Sequence, residues 1–128
     1  MIRILVLGHG GYAEGVKSNL AMLVGQPESM YFLDLTPTDD LADLEKKVTD
    51  LLEGFGSDQV LFACDLMGAS PFRVAAIQTY NHPGNYMTVA GLNTMAYLEL
   101  GMASDLTLSE LVDRAIETTK NSVIKYPE

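Results

Sequence analysis

Cysteine is nearly absent from this sequence, since Cys64 is the only one among 128 residues. A single thiol cannot form a disulfide within the chain, which favours a reducing compartment and predicts a cytoplasmic protein. Because Cys64 ends the apolar run 60–64, we interpret it as a small core residue. A chain of this length needs neither disulfides nor metals to fold, and we expect residues 1–128 to form a single domain.

Ligands for a metal and motifs for a cofactor are also scarce. The only histidines are His9 and His82, whereas a zinc site needs three or four ligands. The segment 8–13 fits neither a dinucleotide fingerprint nor a P-loop, and the lysine of a P-loop does not follow it. Ser70 lacks the second glycine of a nucleophile elbow. We therefore expect no cofactor and no metal, and we interpret His82 as a solvated loop residue at the far end of the sheet.

Positive charge is in short supply, with 8 Lys and Arg against 17 Asp and Glu and a formal net charge of −9. This balance argues against a nucleic-acid or anionic-membrane surface and is compatible with a basic protein partner. The apolar runs have the length of strands and are too short to span a bilayer. The N-terminal run 1–7 has no cleavage site, so we interpret it as a first strand and not as a signal peptide.

Strand-like and helical patterns alternate along the chain. Apolar runs predict strands at 2–7, 30–35, 59–64 and 86–91. Helical spacing is shown by two sets of residues, Ala13, Val16, Leu20 and Leu23, and then Leu41, Leu44, Val48, Leu51 and Leu52. This alternation predicts a three-layer α/β/α fold with a mainly parallel sheet.

Capping signals predict where the remaining helices begin. Ser70 followed by Pro71 is typical of an N-cap and a first helical residue, with the helix running to about Tyr80. Asn93 is expected to cap a shorter helix that ends at Gly101. The last helix follows the capping box 107–110. Its expected buried stripe is Leu108, Leu111, Val112, Ala115 and Ile116.

Residues that could carry chemistry follow the strands, where ligands of parallel sheets bind. His9 stands between glycines, which let another molecule approach its ring, so it could bind a metal, act as an acid or base, or be a nucleophile. In a 2-1-3-4 strand order, Asp65 would lie beside it and accept from one ring nitrogen. Plain alternatives are a loop histidine bonded to a carbonyl and an aspartate that serves as a turn residue. Ser70 is expected to cap its helix, whose N-terminus could also attract phosphate.

Three motifs then resemble one known family. Gly8-His9-Gly10-x-x-Ala13-x-Gly15 resembles the active-histidine motif of the enzyme IIA proteins of the mannose-type sugar phosphotransferase system. The second motif of that family is similar to residues 65–72, Asp-Leu-x-Gly-Ala-Ser-Pro-Phe, and the third to Ala90-Gly91-x-Asn93. The chain has Met95 where the family usually has a proline, which bears on the shape of the fourth loop.

The resemblance implies a phosphocarrier. The histidine matching His9 takes a phosphoryl group from the protein HPr and gives it to enzyme IIB, which serves the membrane subunits of sugar uptake. Asp65 would orient the His9 ring, and a phosphoryl-binding set would consist of Ser70, Gly68, Ala69 and Gly10. Family members are homodimers, which implies that a C-terminal segment, Ser122 to Tyr126, pairs as an exchanged edge strand with the partner's sheet.

Two alternatives stay open from the sequence. The phosphotransfer subunit of dihydroxyacetone kinase shares the fold and the histidine but typically lacks the Gly-Ala-Ser-Pro helix start. The second alternative is a non-catalytic regulatory module with a flavodoxin-like fold. A receiver of that class needs an acidic pair after strand one and a lysine after a later strand, and both are missing here. A regulatory descendant of the IIA family could keep every motif.

Overall fold

The computed structural model describes residues 1–102 and 105–128, which form strands and helices in the predicted order. The strands are β1 (Ile2–His9), β2 (Met30–Leu35), β3 (Gln59–Cys64) and β4 (Tyr86–Ala90). The helices are α1 (Tyr12–Leu23), α2 (Leu41–Glu53), α3 (Ser70–Asn81), α4 (Thr94–Met102) and α5 (Leu108–Ser122). No helix in this described part combines the length and hydropathy that crossing a bilayer would require.

The four strands form one parallel sheet in the order β2-β1-β3-β4, which confirms the predicted topology. Side chains alternate across β1, so its two faces contribute to two separate apolar clusters. Ile4 and Val6 pack with buried residues of α1, α4 and α5. Leu5 and Leu7 pack with buried residues of α2 and α3 on the other face. Because β1 lies between β2 and β3, both helical layers are centred near it.

Two strand ends differ from their predicted positions. β1 continues through His9, two residues past the predicted end, because Gly8 and His9 still pair with Asp34 and Leu35 of β2. β4 stops at Ala90 because Gly91 turns out of the extended region with a φ of +88°. His9 is therefore the last residue of a strand and not part of the turn that follows it.

The helix caps agree with the sequence in two cases. The Asn93 side chain accepts a hydrogen bond of 3.3 Å from the N–H of Ala96 at the start of α4. Thr107 and Glu110 form the expected capping box of α5. The prediction that Ile116 is buried is wrong, because it is 36% exposed. At 100° per residue, Ile116 lies at the margin of the buried stripe formed by the other four residues. Helix α4 reaches Met102, one residue beyond its predicted end.

Gly8 has no side chain, and the ring of Tyr12 packs directly against it. Adding a side chain at Gly8 therefore tests the packing at the end of β1. A Cβ added at Gly8 would lie 2.4 Å from Cδ2 of Tyr12, so we expect Gly8→Ala to displace that ring and lower the free energy of unfolding by about 1–3 kcal/mol. Gly15 lies within α1 and has open space around it. Gly15→Ala should therefore raise the free energy of unfolding by up to about 1 kcal/mol.

Chemical denaturation of both variants beside the wild type measures these two changes. A Gly8→Ala protein as stable as the wild type would contradict the described contact between Gly8 and Tyr12.

Candidate functional site

His9 and Asp65 meet at the carboxyl ends of the two central strands. Nδ1 of His9 lies 2.7 Å from Oδ2 of Asp65, and the His9 backbone N–H donates to the same oxygen over 3.0 Å. The N–H of Leu66 donates to Oδ1 over 2.9 Å. The carboxylate thus accepts from the ring and the backbone of the same histidine, and this double contact fixes both the position and the rotation of the ring.

The sheet brings these two residues together although 56 positions separate them. β1 and β3 are hydrogen-bonded neighbours with Leu7 opposite Cys64, and the N–H of Asp65 continues this pairing by donating to the carbonyl of Leu7 over 3.1 Å. His9 follows Leu5 and Leu7 on the face that α2 and α3 cover. The imidazole therefore projects on the side of the sheet where α3 begins.

Burial and hydrogen bonding act in opposite directions on the carboxyl group of Asp65. Its side chain is only 12% exposed, and this burial by itself would raise the pKa of Asp65. Hydrogen bonds from the His9 ring, the His9 N–H and the Leu66 N–H outweigh burial and lower the pKa of Asp65 below its ordinary value. Asp65 is consequently ionised at neutral pH and acts only as an acceptor.

This geometry leaves one nitrogen of His9 available. An ionised carboxylate accepts from a protonated Nδ1, so Nε2 of the neutral ring carries the lone pair. Within the described residues, Nε2 makes no hydrogen bond, and the His9 side chain is 40% exposed. The ring can therefore act as a nucleophile towards a group brought by another molecule, with Asp65 stabilising the positive charge that develops on it.

The N-terminus of α3 differs from its predicted form. The prediction that Ser70 caps this helix is wrong: Ala69 occupies the N-cap position with a ψ of 176°, and none of the described side chains caps the helix. Ser70 is the first helical residue, and Pro71 follows in the first turn. Since Pro71 can occupy either of the first two helical positions, its presence does not fix the boundary. The first turn of α3 is thus left without a side-chain acceptor.

Asp34 is a residue of this region that the sequence analysis missed. Its two carboxylate oxygens accept hydrogen bonds from the N–H groups of Ala13 at 2.8 Å and Glu14 at 3.1 Å. These N–H groups belong to the first turn of α1, whose own N-cap, Gly11, has no side chain to offer. No local motif could have indicated this cap, because Asp34 is 21 residues away from Ala13 in the chain.

His82 and Cys64 both pack against neighbouring residues. His82 lies at the opposite end of the sheet from His9, but it is half-buried, which corrects its interpretation as a solvated loop residue. Its Nδ1 lies 2.8 Å from the carbonyl oxygen of Gln78, and its ring stacks on Tyr86. Cys64 is fully buried, and burial raises the pKa of its thiol to about 12. The Cys64 thiol is thereby unsuited to reaction at the surface.

Comparison with known proteins identifies the family. Residues 3–116 match the family model EIIA-man, described as the PTS system fructose IIA component. The chain belongs to this family. It is thus a IIA component of the sugar phosphotransferase system. The role of this family is phosphoryl transfer. The family resemblance inferred from the motifs is confirmed.

Two relatives of the chain are named for different sugars, mannose and fructose. The chain is 32% identical over 125 residues, 95% of its length, to the mannose-specific EIIAB component of Escherichia coli strain K12, and it spans only 38% of that longer protein. It is 25% identical over 115 residues to the fructose-specific EIIA component of Bacillus subtilis, covering 88% of this chain and 78% of that one.

A solved structure gives the same fold. The mannose/sorbose-specific IIA subunit from Enterococcus faecalis superimposes with a TM-score of 0.89 at 26% identity, over 98% of this chain and 96% of that one. The parallel sheet and the helical layers are therefore shared with this IIA subunit.

The lowered pKa of Asp65 generates a prediction for this IIA component. A carboxyl group whose pKa is depressed on folding stabilises the native state above its ordinary pKa of about 3.9, and this contribution is lost as the pH falls through the folded value. We expect the difference in free energy of unfolding between wild type and Asp65→Asn to be constant above about pH 5 and to shrink below about pH 4.

Urea denaturation between pH 7 and pH 3 measures this difference. Asp113→Asn is a matched control on the exposed face of α5, where Asp113 forms no hydrogen bond or ion pair with the described residues. A difference for Asp65→Asn that stays unchanged down to pH 3 would contradict the lowered pKa.

Proposed function

We propose that Nε2 of His9 accepts a phosphoryl group from HPr and passes it to enzyme IIB. The single observation that supports this assignment is the 2.7 Å contact between Nδ1 of His9 and Asp65, which leaves Nε2 as the free nitrogen. In the first step, the Nε2 lone pair forms a bond to phosphorus while the bond from phosphorus to the donor breaks. In the second step, the acceptor on IIB attacks the same phosphorus and the bond to Nε2 breaks.

Charge stabilisation is the main demand of such a transfer. The imidazole becomes positive as Nε2 attacks, and the ionised Asp65 at Nδ1 stabilises that charge without moving. The transferred group is itself negative, so it needs donors on its own side. Asp65 therefore orients the ring in this proposal, while other residues bind the phosphoryl oxygens.

The phosphoryl-binding set in this proposal is Ser70, Gly68, Ala69 and Gly10. Support comes from the open first turn of α3, since the N–H groups of Gly68, Ala69 and Ser70 donate no hydrogen bond to any described residue. The Ser70 hydroxyl is likewise not engaged in a cap. Uncapped N–H groups at a helix start attract anions. Gly10 differs from these three residues, because its N–H already donates to the carbonyl of Leu35 over 2.9 Å.

The partners and the compartment follow from the same proposal. A formal charge of −9 suits carrier proteins with basic surfaces, and the single buried thiol suits the reducing cytoplasm. The membrane subunits of sugar uptake would be reached only through IIB. Residues 1–128 would act as one IIA domain, because both apolar clusters share a single sheet.

A homodimer is the proposed assembly. Among the residues that the structure describes, β4 pairs only with β3, which leaves its other edge open. A groove of about 730 Å³ runs beside that edge between α3 and the start of α5. Beyond α5, Val123, Ile124 and Tyr126 are 73%, 84% and 92% exposed. We propose that residues 123–126 of a second copy pair with this edge. Ser122 is excluded from the segment because it is the last residue of α5 and accepts a hydrogen bond from Asn93.

The proposed transfer predicts that His9 is the only phosphorylated residue. Incubation with phosphorylated HPr should label the protein with an acid-labile, base-stable adduct. Labelling should disappear in His9→Ala and persist in His82→Ala, because the His82 ring is held by Gln78 and Tyr86 at the far end of the sheet. Retained labelling in His9→Ala would overturn the proposal.

Ser70→Ala refines this experiment. The substitution removes no cap, so its melting temperature should match the wild type, and the fraction of labelled His9 at a fixed donor ratio should fall. A wild-type labelled fraction would exclude Ser70 from the phosphoryl-binding set.

Truncation tests the proposed dimer. Removing residues 123–128 leaves α5 whole, and we expect the truncated protein to be monomeric or aggregated in light scattering, while the full-length chain is dimeric at micromolar concentration. Substituting Met22, which is 91% exposed near the end of α1, by Ser is a control that should not change the assembly. A full-length protein that is monomeric under these conditions would contradict the homodimer.

A further inference from the structure

Asp34 connects three parts of the structure around His9. It lies in β2 directly opposite Gly8 of β1, and its side chain reaches past the end of β1 to the first turn of α1. One oxygen accepts from the N–H of Ala13 and the other from the N–H of Glu14. The carboxylate thus holds strand β2 and helix α1 in a fixed relation.

Helix α1 has no other side chain that could do this. Its N-cap, Gly11, makes no side-chain hydrogen bond, whereas α2 and α5 each carry a local capping box. The first N–H groups of a helix have no partner within the helix and need an acceptor. Asp34, which lies in strand β2, supplies acceptors for the N–H groups of Ala13 and Glu14. The start of α1 therefore depends on a tertiary contact.

The start of α1 matters for His9 because only two glycines separate them. Gly10 has a φ of +60°, and Gly11 also lacks a side chain, so neither residue restricts its own backbone. The restraint must therefore come from neighbours. Leu35 accepts the N–H of Gly10 on one side, and Asp34 fixes α1 on the other.

We infer that Asp34 is a positioning residue for phosphoryl transfer at His9. By anchoring the first turn of α1, it holds the glycine turn and thereby keeps the His9 ring aligned on Asp65. Asp34 makes no hydrogen bond with the His9 ring and would act through the backbone. The inference deepens the proposed function and rests on it, since the aligned ring is the proposed phosphoryl acceptor.

Asp34→Ala should lower the maximal rate of His9 phosphorylation about 10–100-fold while the KM for phosphorylated HPr stays unchanged, because small displacements of a reacting group cost this much. Asp34→Asn keeps one acceptor oxygen and should give an intermediate rate. If the alanine variant does not fold, the rate of Asp34→Asn tests the inference instead.

Asp40→Ala is the matched control. Asp40 accepts the N–H of Asp43 over 2.8 Å as the cap of α2, so this variant also removes a capping carboxylate. Both alanine variants should lose stability, and only Asp34→Ala should lose rate. Equal rates in folded Asp34→Ala and Asp40→Ala would overturn the inference.

Nitrogen NMR of the His9 ring provides a readout that needs no phosphoryl donor. We expect the population of the form protonated at Nδ1 to fall in Asp34→Ala and to remain at the wild-type value in Asp40→Ala. If the wild type accepts no phosphoryl group, the proposed function fails, and the ring signals still decide the role of Asp34. Wild-type ring signals in Asp34→Ala would show that Asp34 only stabilises α1.

Discussion

The hydrogen bond between Nδ1 of His9 and Oδ2 of Asp65 is the interaction on which the site depends. At 2.7 Å to an ionised acceptor, it favours the proton on Nδ1 and leaves the lone pair on Nε2, which is the nitrogen that we propose to react. Burying a carboxylate is unfavourable without hydrogen-bond partners, and here the His9 and Leu66 N–H groups supply further donors. The contact is possible because β1 and β3 are neighbours in the sheet. The strand order of the sheet is therefore a requirement of the site.

Much of this arrangement could be predicted from the sequence because its signals are local. Apolar runs and helical spacing indicated the alternating elements, and ligand binding beyond parallel strands drew attention to His9 and Asp65. The end of β1 could not be placed in this way. Gly8 and His9 have no strand-like pattern of their own, and they are extended because β2 lies beside them.

The two helix starts nearest to His9 show the same limit. Ser70 before Pro71 has the local appearance of a cap, yet the helix begins one residue earlier than that pattern indicates, and the hydroxyl is left free. Helix α1 has no local capping pattern, yet it is capped from β2 by Asp34. Local pattern indicates which segments become helical, whereas at α1 a tertiary contact decides which of the terminal N–H groups are satisfied.

These opposite outcomes bear on where an anion can be held. The N-terminus of α1 already faces the carboxylate of Asp34, which accepts from the N–H groups of Ala13 and Glu14 and would repel a second negative group. The N-terminus of α3 has no such acceptor, and it begins on the face of the sheet to which His9 projects. In the proposed transfer, donors for the phosphoryl group are therefore expected at the start of α3 and not at the start of α1. In the proposed transfer, Asp65 orients the ring, and Asp34, by occupying the start of α1, leaves the start of α3 for the phosphoryl group.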